Sequence, residues 1–180
     1  MIEQLSFQIA DSGLNPTSPH QLFVREIKVQ TACKLNSEWH SRLPELDWSN
    51  VTRNSLYICY GAFFNSSCIG VAIWSIPVAA NRMTDGSSIL ELRRLALSSR
   101  CPKNTASWML GVMVRLIRKL FPQVKKLISY HDTEVHSGTI YKAAGWVKVS
   151  EVQFQSWSST RKRNPDQSTA IKVKWEKSLT

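Results

Sequence analysis

The side chains best suited to chemistry lie between residues 89 and 146, where a polar loop precedes a tyrosine. Residues 98–104 lead into a predicted helix, whose N-terminus offers unpaired N–H groups and a positive dipole end to a phosphate. An ordinary helix capped by Asn104 is the alternative, because the loop lacks a Gly-rich motif. The residues predicted to contact a phosphate-bearing cofactor are Arg100, Lys103, Asn104, Thr105 and Ser107.

Tyr141 lies in the sequence GTIYKAAGW, on a short predicted helix that follows a buried strand. A tyrosine hydroxyl next to a cofactor can donate a proton to a leaving group or orient a substrate. In isolation, the same residue would be interpreted as a core or surface aromatic side chain. Its position after the cofactor loop favours a group-transfer site.

Positive charge is concentrated in the second half of the chain. Residues 1–90 hold 6 Lys and Arg against 7 Asp and Glu, whereas residues 91–180 hold 17 against 6, giving the net charge of +10. The positive charge of the second half favours an anionic polymer as the partner. Nucleic acid is preferred over a membrane because no basic amphipathic anchor is present. Solubility alone is the other explanation of the charge.

The four cysteines include no CxxC pair, which is typical of reduced thiols in a cytosol. The N-terminal residues lack the pattern of a signal peptide, and the most apolar segment, residues 69–80, is too short to span a bilayer. We therefore expect a cytoplasmic protein without a membrane partner. The sequence leaves the oligomeric state open, and a homodimer is one option.

The apolar patterning predicts a mixed α/β sheet with helices on both faces. Two apolar segments separated by turn residues indicate a hairpin. Arg93 and Arg94 follow each other on a predicted strand and should therefore point to opposite faces. The predicted strands are residues 22–29, 55–64, 68–76, 89–97, 126–130, 147–155 and 170–175, and the predicted helices are residues 31–43, 105–120 and 137–144.

The order of strand, loop, long helix, strand and a helix ending in Tyr-x-x-x-Gly-aromatic resembles the Gcn5-related N-acetyltransferase (GNAT) fold. This resemblance implies a single GNAT-like domain over residues 1–180, with residues 1–20 loosely packed and the cofactor and catalytic region at 89–146. It also implies that acetyl-CoA or a related acyl donor enters a V-shaped opening between the two strands. The usual loop, which binds the pyrophosphate, has glycine at two positions, whereas SRCPKNTAS has none.

A closer resemblance covers most of the second half of the chain. The segments ELRRLAL and PKNTAS and the run Asp-x-x-x-His-x-Gly-Thr-Ile-Tyr-Lys-Ala-x-x-Trp resemble the phage Mom family. This family adds a carbamoylmethyl group to the exocyclic nitrogen of adenine in phage DNA, which protects the bacteriophage genome from host restriction enzymes. The resemblance implies a transferase acting on double-stranded DNA with a small-molecule donor, in the cytoplasm of the host bacterium.

The same resemblance implies roles for individual residues. Tyr141 would donate a proton or orient the substrate. Arg94 and Ser107 would contact the cofactor or substrate. Asp132 and Tyr57 would complete the catalytic set. The structural alternatives are an ion pair for Arg94, a backbone hydrogen bond for Ser107, a turn at Asp132 and a core position for Tyr57.

Iron is also implied by the resemblance, and two histidines with a carboxylate suit non-haem Fe(II). The predicted metal ligands are His40, Asp132 and His136, with a solvated helix position as the alternative for His40. His131, adjacent to Asp132 on a predicted strand, would point to the other face. Simple acyl transfer would acetylate an amine, whereas a carbamoylmethyl product requires a bond to a methylene carbon and an additional nitrogen. A further donor or cofactor is therefore implied.

A basic loop near the C-terminus is the predicted DNA contact. Arg161, Lys162 and Arg163 would meet phosphates, and Trp157 could stack on a base, although a flexible solvated loop would look the same. An adenine amine cannot be reached inside the duplex, so we expect the target base to flip into the cleft. Two other functions remain open, namely an acyl-CoA-dependent N-acetyltransferase of a protein or small amine and a non-catalytic DNA-binding GNAT-like protein.

Overall fold

The computed structural model describes residues 15–40, 45–77, 87–152 and 170–180. The strands are β1 (Phe23–Glu26), β2 (Tyr57–Phe64), β3 (Ser67–Ser75), β4 (Ile89–Leu97), β5 (Lys126–Asp132), β6 (Val147–Val152) and β7 (Lys172–Ser178). The helices are α1 (Val29–Trp39), α2 (Trp48–Thr52), α3 (Thr105–Leu120) and α4 (Thr139–Ala143). Within these residues the strands form one seven-stranded sheet in the order β1-β2-β3-β4-β5-β7-β6.

Helices cover both faces of the sheet, which confirms the predicted mixed α/β fold. A small apolar cluster joins α1 and α2 to one face through residues such as Ala32, Val51 and Ile73. The larger cluster joins α3 and α4 to the other face and includes Trp74 and Met113. None of the helices in the described ranges has the length and apolar character needed to span a bilayer.

The predicted elements are confirmed in type, with local differences at the first helices. Helix α1 ends at Trp39, and residues 41–44 lie outside the described ranges. Helix α2 and a 3₁₀ turn at Pro19–Gln21 were not predicted. Helix α2 has a single buried residue, Val51, and begins where the Asp47 carboxylate accepts a hydrogen bond from the Ser49 N–H at 2.9 Å. One buried position gives no periodicity for a sequence pattern to detect.

The buried face of α3 differs from the one that periodicity predicts. Helical periodicity in residues 105–120 predicts an apolar stripe of Met109, Val112, Met113, Leu116 and Leu120. The buried apolar residues are instead Met109, Leu110, Met113, Val114 and Ile117. Leu120, placed in the core by the pattern, is 52% exposed. The helix is apolar around most of its circumference, so packing against the sheet selects the buried face.

Strands β4 and β5 separate halfway along their length. They pair in parallel from Ile89 with Lys126 to Leu92 with Ser129, and no further pairs follow. Strand β4 continues to pair with β3, but a register shift next to Ile73 leaves Arg93 without a partner. Strand β5 instead pairs with β7 along its whole length. Because a bulge bends and twists its strand, the C-terminal halves of β4 and β5 enclose a wedge-shaped opening.

Gly138 directly precedes α4 and sets its approach to the sheet. Its φ is +72°, and a Cβ atom there would lie 2.5 Å from Trp175 and 2.8 Å from His131. Only glycine combines this backbone conformation with such close contact. Helix α4, which carries Tyr141, therefore rests directly on the side chains of β5 and β7.

We expect Gly138→Ala to destabilise the protein by about 1–3 kcal/mol or more, because the substitution adds both backbone strain and a steric clash. Gly111→Ala is the matched control, since a Cβ on that helical residue meets nothing within 4 Å. The control should stabilise by about 0.5–1 kcal/mol through helix propensity. Urea unfolding of both variants measures the difference, and equal stability of the two would contradict this account of α4.

Candidate active site

A surface pocket with a volume of about 370 Å³ lies at the C-terminal end of β4. It is bounded by the loop into α3, the first turn of α3 and one side of α4. Three of the residues predicted to contact a cofactor, Asn104, Thr105 and Ser107, line this pocket. The other lining residues are Leu97, Ser98, Ser99, Cys101, Pro102, Ala106, Thr139, Ile140 and Ala143.

The backbone of Asn104 shapes the entry into α3. Asn104 has φ 68°, in the left-handed region, and its side chain makes no capping hydrogen bond. Thr105 Oγ1 donates to the Pro102 carbonyl at 2.7 Å, and Ser107 Oγ donates to the Asn104 carbonyl at 3.1 Å. Asparagine tolerates the left-handed region better than most residues. Asn104 therefore supplies a conformation for which glycine is the usual residue, and the helix N-terminus at the pocket has no side-chain cap.

The predicted basic residues do not line the pocket. Arg100 Nε donates to Asn15 Oδ1 at 3.0 Å, and Lys103 is exposed. Arg94 interacts electrostatically with Cys33 of α1, so it lies on the opposite face of the sheet. The pocket lining thus offers backbone N–H groups and hydroxyls rather than cationic side chains.

Tyr141 is buried beside the opening between β4 and β5. Its side chain is 6% exposed, and its hydroxyl lies 2.8 Å from Ser129 Oγ. The Tyr141 ring stacks on Trp175 with centroids 5.4 Å apart and meets the edge of Trp146 at 5.7 Å. Burial raises the pKa of Tyr141, and the hydrogen bond with Ser129 acts in the opposite direction. Tyr141 therefore keeps its proton at neutral pH, as a proton donor must.

His131 completes the aromatic surroundings of Tyr141. Its ring centroid lies 6.1 Å from that of Tyr141, and its Nδ1 accepts a hydrogen bond from Trp175 Nε1 at 2.7 Å. A histidine that accepts through Nδ1 is neutral and carries its proton on Nε2. Burial, aided by the nearby His136, lowers the pKa of His131. His131 is thus a neutral structural partner of Trp175.

The bulge in β4 places two arginines near one helix. Both Arg93 and Arg94 interact electrostatically with Cys33 of α1, so the alternation expected for a regular strand is broken here. Arg94 Nη1 donates to the Arg93 carbonyl at 2.8 Å. Burial lowers the pKa of both guanidiniums, although an arginine remains charged in proteins.

A buried polar group lies on the same side of the sheet. Asn36 of α1 is 1% exposed, and neither of its amide atoms has a hydrogen-bond partner among the described residues. Arg94 Nε also has none there. Cys33, Asn36 and His40 follow at i, i+3 and i+7, which share a helix face, and Arg94 interacts with both Cys33 and His40. This side of the sheet thus holds buried donors and an acceptor without partners in the described part of the chain.

The other two predicted catalytic residues, Asp132 and Tyr57, lie in different parts of the sheet. Asp132 ends β5 at the opening, and its Oδ1 accepts a hydrogen bond from the Glu134 N–H at 2.9 Å, so it also forms a turn. Tyr57 begins β2 opposite Ser75 of β3 and is 38% exposed. The sheet therefore separates Tyr57 from Tyr141 by the strands β3 and β4, and the two are not brought together.

The predicted iron site is not supported. Burial lowers the pKa of His40, and the charges of Arg94 and His136 add to the shift. However, no three His, Cys, Asp or Glu side chains in the described ranges converge as metal ligands. The combination of His40, Asp132 and His136 therefore does not fit a resident Fe(II), and no step of the chemistry is assigned to a metal.

Some predictions concern residues outside the described ranges, and some site residues were not predicted. The proposed DNA contacts Trp157, Arg161, Lys162 and Arg163 lie in residues 153–169, which are not described.

Ser129 and Trp175 were missed, because a serine or tryptophan in a buried strand gives no chemical pattern by itself. Their contacts with Tyr141 arise only when α4 packs on β5 and β7.

The same architecture is present in solved acetyltransferases. The ribosomal-protein-S18-alanine N-acetyltransferase from Escherichia coli matches with TM-score 0.62 and 9% identity over 88% of this chain and 94% of that one. A GNAT-family acetyltransferase from Streptococcus pneumoniae matches with TM-score 0.61 and 13% identity over 88% and 99%. The yncA structure from Salmonella typhimurium, solved with its cofactor acetyl-CoA, matches with TM-score 0.64 and 9% identity over 89% and 95%. The chain therefore has the GNAT fold.

A family model narrows this classification. Residues 21–179 match the Mom protein family. The chain belongs to the Mom protein family. The methylcarbamoylase mom of Escherichia phage Mu is 27% identical over 131 residues, which cover 68% of this chain and 53% of that protein. The chain thus spans about half the length of this curated relative.

The stability of the protein should fall as the pH decreases below the ordinary histidine pKa of 6.5. The folded state holds His131 neutral, so its contribution is present above pH 6.5 and is lost as the pH falls through the lowered folded pKa. His131→Gln keeps an acceptor for Trp175 but does not titrate, and should flatten this dependence. The pKa of His40 is also lowered, so some pH dependence of the stability should remain in this variant. Urea unfolding at several pH values tests this, and identical pH profiles would refute it.

Proposed function

We propose that this protein transfers a carbamoylmethyl group to the exocyclic amine of adenine in double-stranded DNA, which protects a phage genome from host restriction enzymes. The observation that carries the proposal is the match to the Mom protein family over residues 21–179. A relative in phage Mu is named a methylcarbamoylase. The buried Tyr141 hydroxyl beside the strand opening supplies the proton donor that such a transfer needs.

The donor molecule is assigned to the pocket between the β4–α3 loop and α4. The N-terminus of α3, without a side-chain cap, suits a phosphate group through its N–H groups and dipole. Thr105 and Ser107 add hydroxyls to the lining. The pocket also borders α4, which carries Tyr141. A coenzyme A-linked donor fits this arrangement, and the yncA structure of the same fold holds acetyl-CoA.

The acceptor base is assigned to the other face of the sheet. The amide of Asn36 and the Nε of Arg94, which have no hydrogen-bond partner among the described residues, lie on the α1 side. Buried groups of this kind are costly unless a ligand or water satisfies them. An adenine flipped out of the duplex would offer a ring nitrogen and an amine as partners. The donor and acceptor would then meet in the opening between β4 and β5.

The atoms and protons of the transfer balance if the donor carries the complete carbamoylmethyl group attached to a leaving group. A bond forms between the adenine amine nitrogen and the methylene carbon, and the bond from that carbon to the leaving group breaks. The leaving group takes the Tyr141 proton, and the proton released by the amine restores Tyr141. Proximity within the opening and this proton donation are the contributions that the chain itself makes.

An acyl-CoA-dependent N-acetyltransferase acting on a protein or small amine is the second candidate. Its support is the likeness to solved acetyltransferases, including enzymes described as acting on ribosomal-protein alanines. The identities of 9% and 12% restrict that likeness to the fold. The net charge of +10 and the family match favour DNA as the acceptor.

Expression in bacteria followed by mass spectrometry of plasmid nucleosides tests the proposed reaction. We expect the wild type to convert adenine into a carbamoylmethyl derivative and Tyr141→Phe to lower the yield by roughly 10²- to 10⁴-fold through loss of the proton donor. Tyr60→Phe is the matched control, because the buried Tyr60 hydroxyl has no partner in the described ranges. Unmodified adenine with soluble wild-type protein would refute the proposal, and full activity of Tyr141→Phe would remove Tyr141 from the mechanism.

The basic loop is tested through the salt dependence of DNA binding. Replacing Arg161, Lys162 and Arg163 by Ala should weaken binding and reduce the slope of log K against log salt by up to about three, at roughly 0.9 for each lost phosphate contact. Fluorescence anisotropy with a labelled duplex at several salt concentrations provides the measurement. An unchanged slope would show that this loop does not contact DNA.

A further inference from the structure

Ser129 occupies the last position at which β4 and β5 pair. It is 1% exposed and lies opposite Leu92 of β4 and opposite Trp175 of β7. Its hydroxyl is 2.8 Å from the Tyr141 hydroxyl and 3.5 Å from the Leu92 carbonyl. One side chain thus touches both the proton-donating residue and the strand edge where the opening begins.

Neighbouring aromatic rings hold the Tyr141 ring in place, whereas the direction of its O–H bond depends on Ser129. Trp175 stacks on the ring with an interplanar angle of 15°, and Trp146 meets it at 64°. These contacts fix the ring but give no direction to the O–H bond. Among the described residues, Ser129 is the hydrogen-bond partner found for the Tyr141 hydroxyl. Ser129 therefore decides where the Tyr141 proton points.

The hydroxyls of Ser129 and Tyr141 can be hydrogen-bonded in two ways. A hydroxyl has one donor and can also accept, and a 2.8 Å contact uses only one of the two protons. If Ser129 donates to the Leu92 carbonyl, the Tyr141 proton is directed towards Ser129. If Ser129 donates to Tyr141, the Tyr141 proton is released for another acceptor, and Leu92 loses only a contact at the 3.5 Å limit of a hydrogen bond.

We propose that Ser129 is a positioning residue that donates a hydrogen bond to the Tyr141 oxygen during group transfer and keeps its own proton, so that the Tyr141 proton is directed at the leaving group. This rests on the proposed function of Tyr141 as proton donor. The Tyr141 O–H bond breaks and the leaving group gains the proton. The phenolate that remains accepts the Ser129 hydrogen bond, which is stronger to a charged than to a neutral oxygen.

The test compares Ser129→Ala with Ser75→Ala. Ser75 is a fully buried strand serine of β3 whose hydroxyl donates to the Ile76 carbonyl at 2.9 Å, so its variant makes the same chemical change away from Tyr141. Carbon-13 NMR of labelled tyrosine, with Tyr141 assigned from Tyr141→Phe, follows the Tyr141 pKa. Steady-state assays on adenine-containing duplexes give kcat and KM. Ser129→Thr, which keeps the hydroxyl, tests rescue.

We expect Ser129→Ala to raise the Tyr141 pKa above its wild-type value and to lower kcat by roughly 10- to 100-fold, the range for a hydrogen bond to a charged group. The KM for DNA should stay unchanged, Ser129→Thr should recover much of kcat, and Ser75→Ala should match the wild type. An unchanged Tyr141 pKa, or an undiminished kcat, in folded Ser129→Ala would overturn the proposal. If the wild type leaves adenine unmodified, the proposed function fails, while the pKa comparison still decides the role of Ser129.

Discussion

The separation of β4 from β5 after Leu92 and Ser129 is the constraint on which the site depends. Two neighbouring strands normally share hydrogen bonds along their length, because unpaired backbone groups in a sheet are costly. Here the bulge at Arg93 bends β4 away, while β7 satisfies the other edge of β5 from Lys126 to Asp132. The sheet therefore stays continuous although its centre is open.

This opening gives the two faces of the sheet different chemistry. The pocket with the uncapped α3 N-terminus lies beside α4 on one face. On the other face, the two arginines of the bulge lie beside α1, which carries the buried amide of Asn36. Tyr141 and Ser129 meet at the apex, where burial among aromatic rings keeps the tyrosine protonated. A transfer between two reactants that arrive from opposite sides fits this division.

Sequence patterns predicted the helices and strands better than the contacts between candidate side chains. The bounds of α3 and the hairpin of β2 and β3 follow from apolar periodicity and turn residues. The local motif predicts Tyr141 as a site residue, and that role stays a prediction. Tyr57 and Arg94 were grouped with it, yet Tyr57 lies across two strands and Arg94 lies on the α1 face. Spacing along the chain carries no information about which face a bulged strand presents.

The sequence by itself determined the mixed α/β architecture, the family resemblance and the position of the polar loop before α3, because these depend on local composition and motif. Tertiary structure decided which of the candidate residues meet. Asn104 takes a left-handed conformation in a loop without glycine, the three proposed iron ligands do not converge, and Ser129 touches Tyr141. Each outcome depends on how strands distant in sequence pack and where their pairing ends, and no local pattern encodes that.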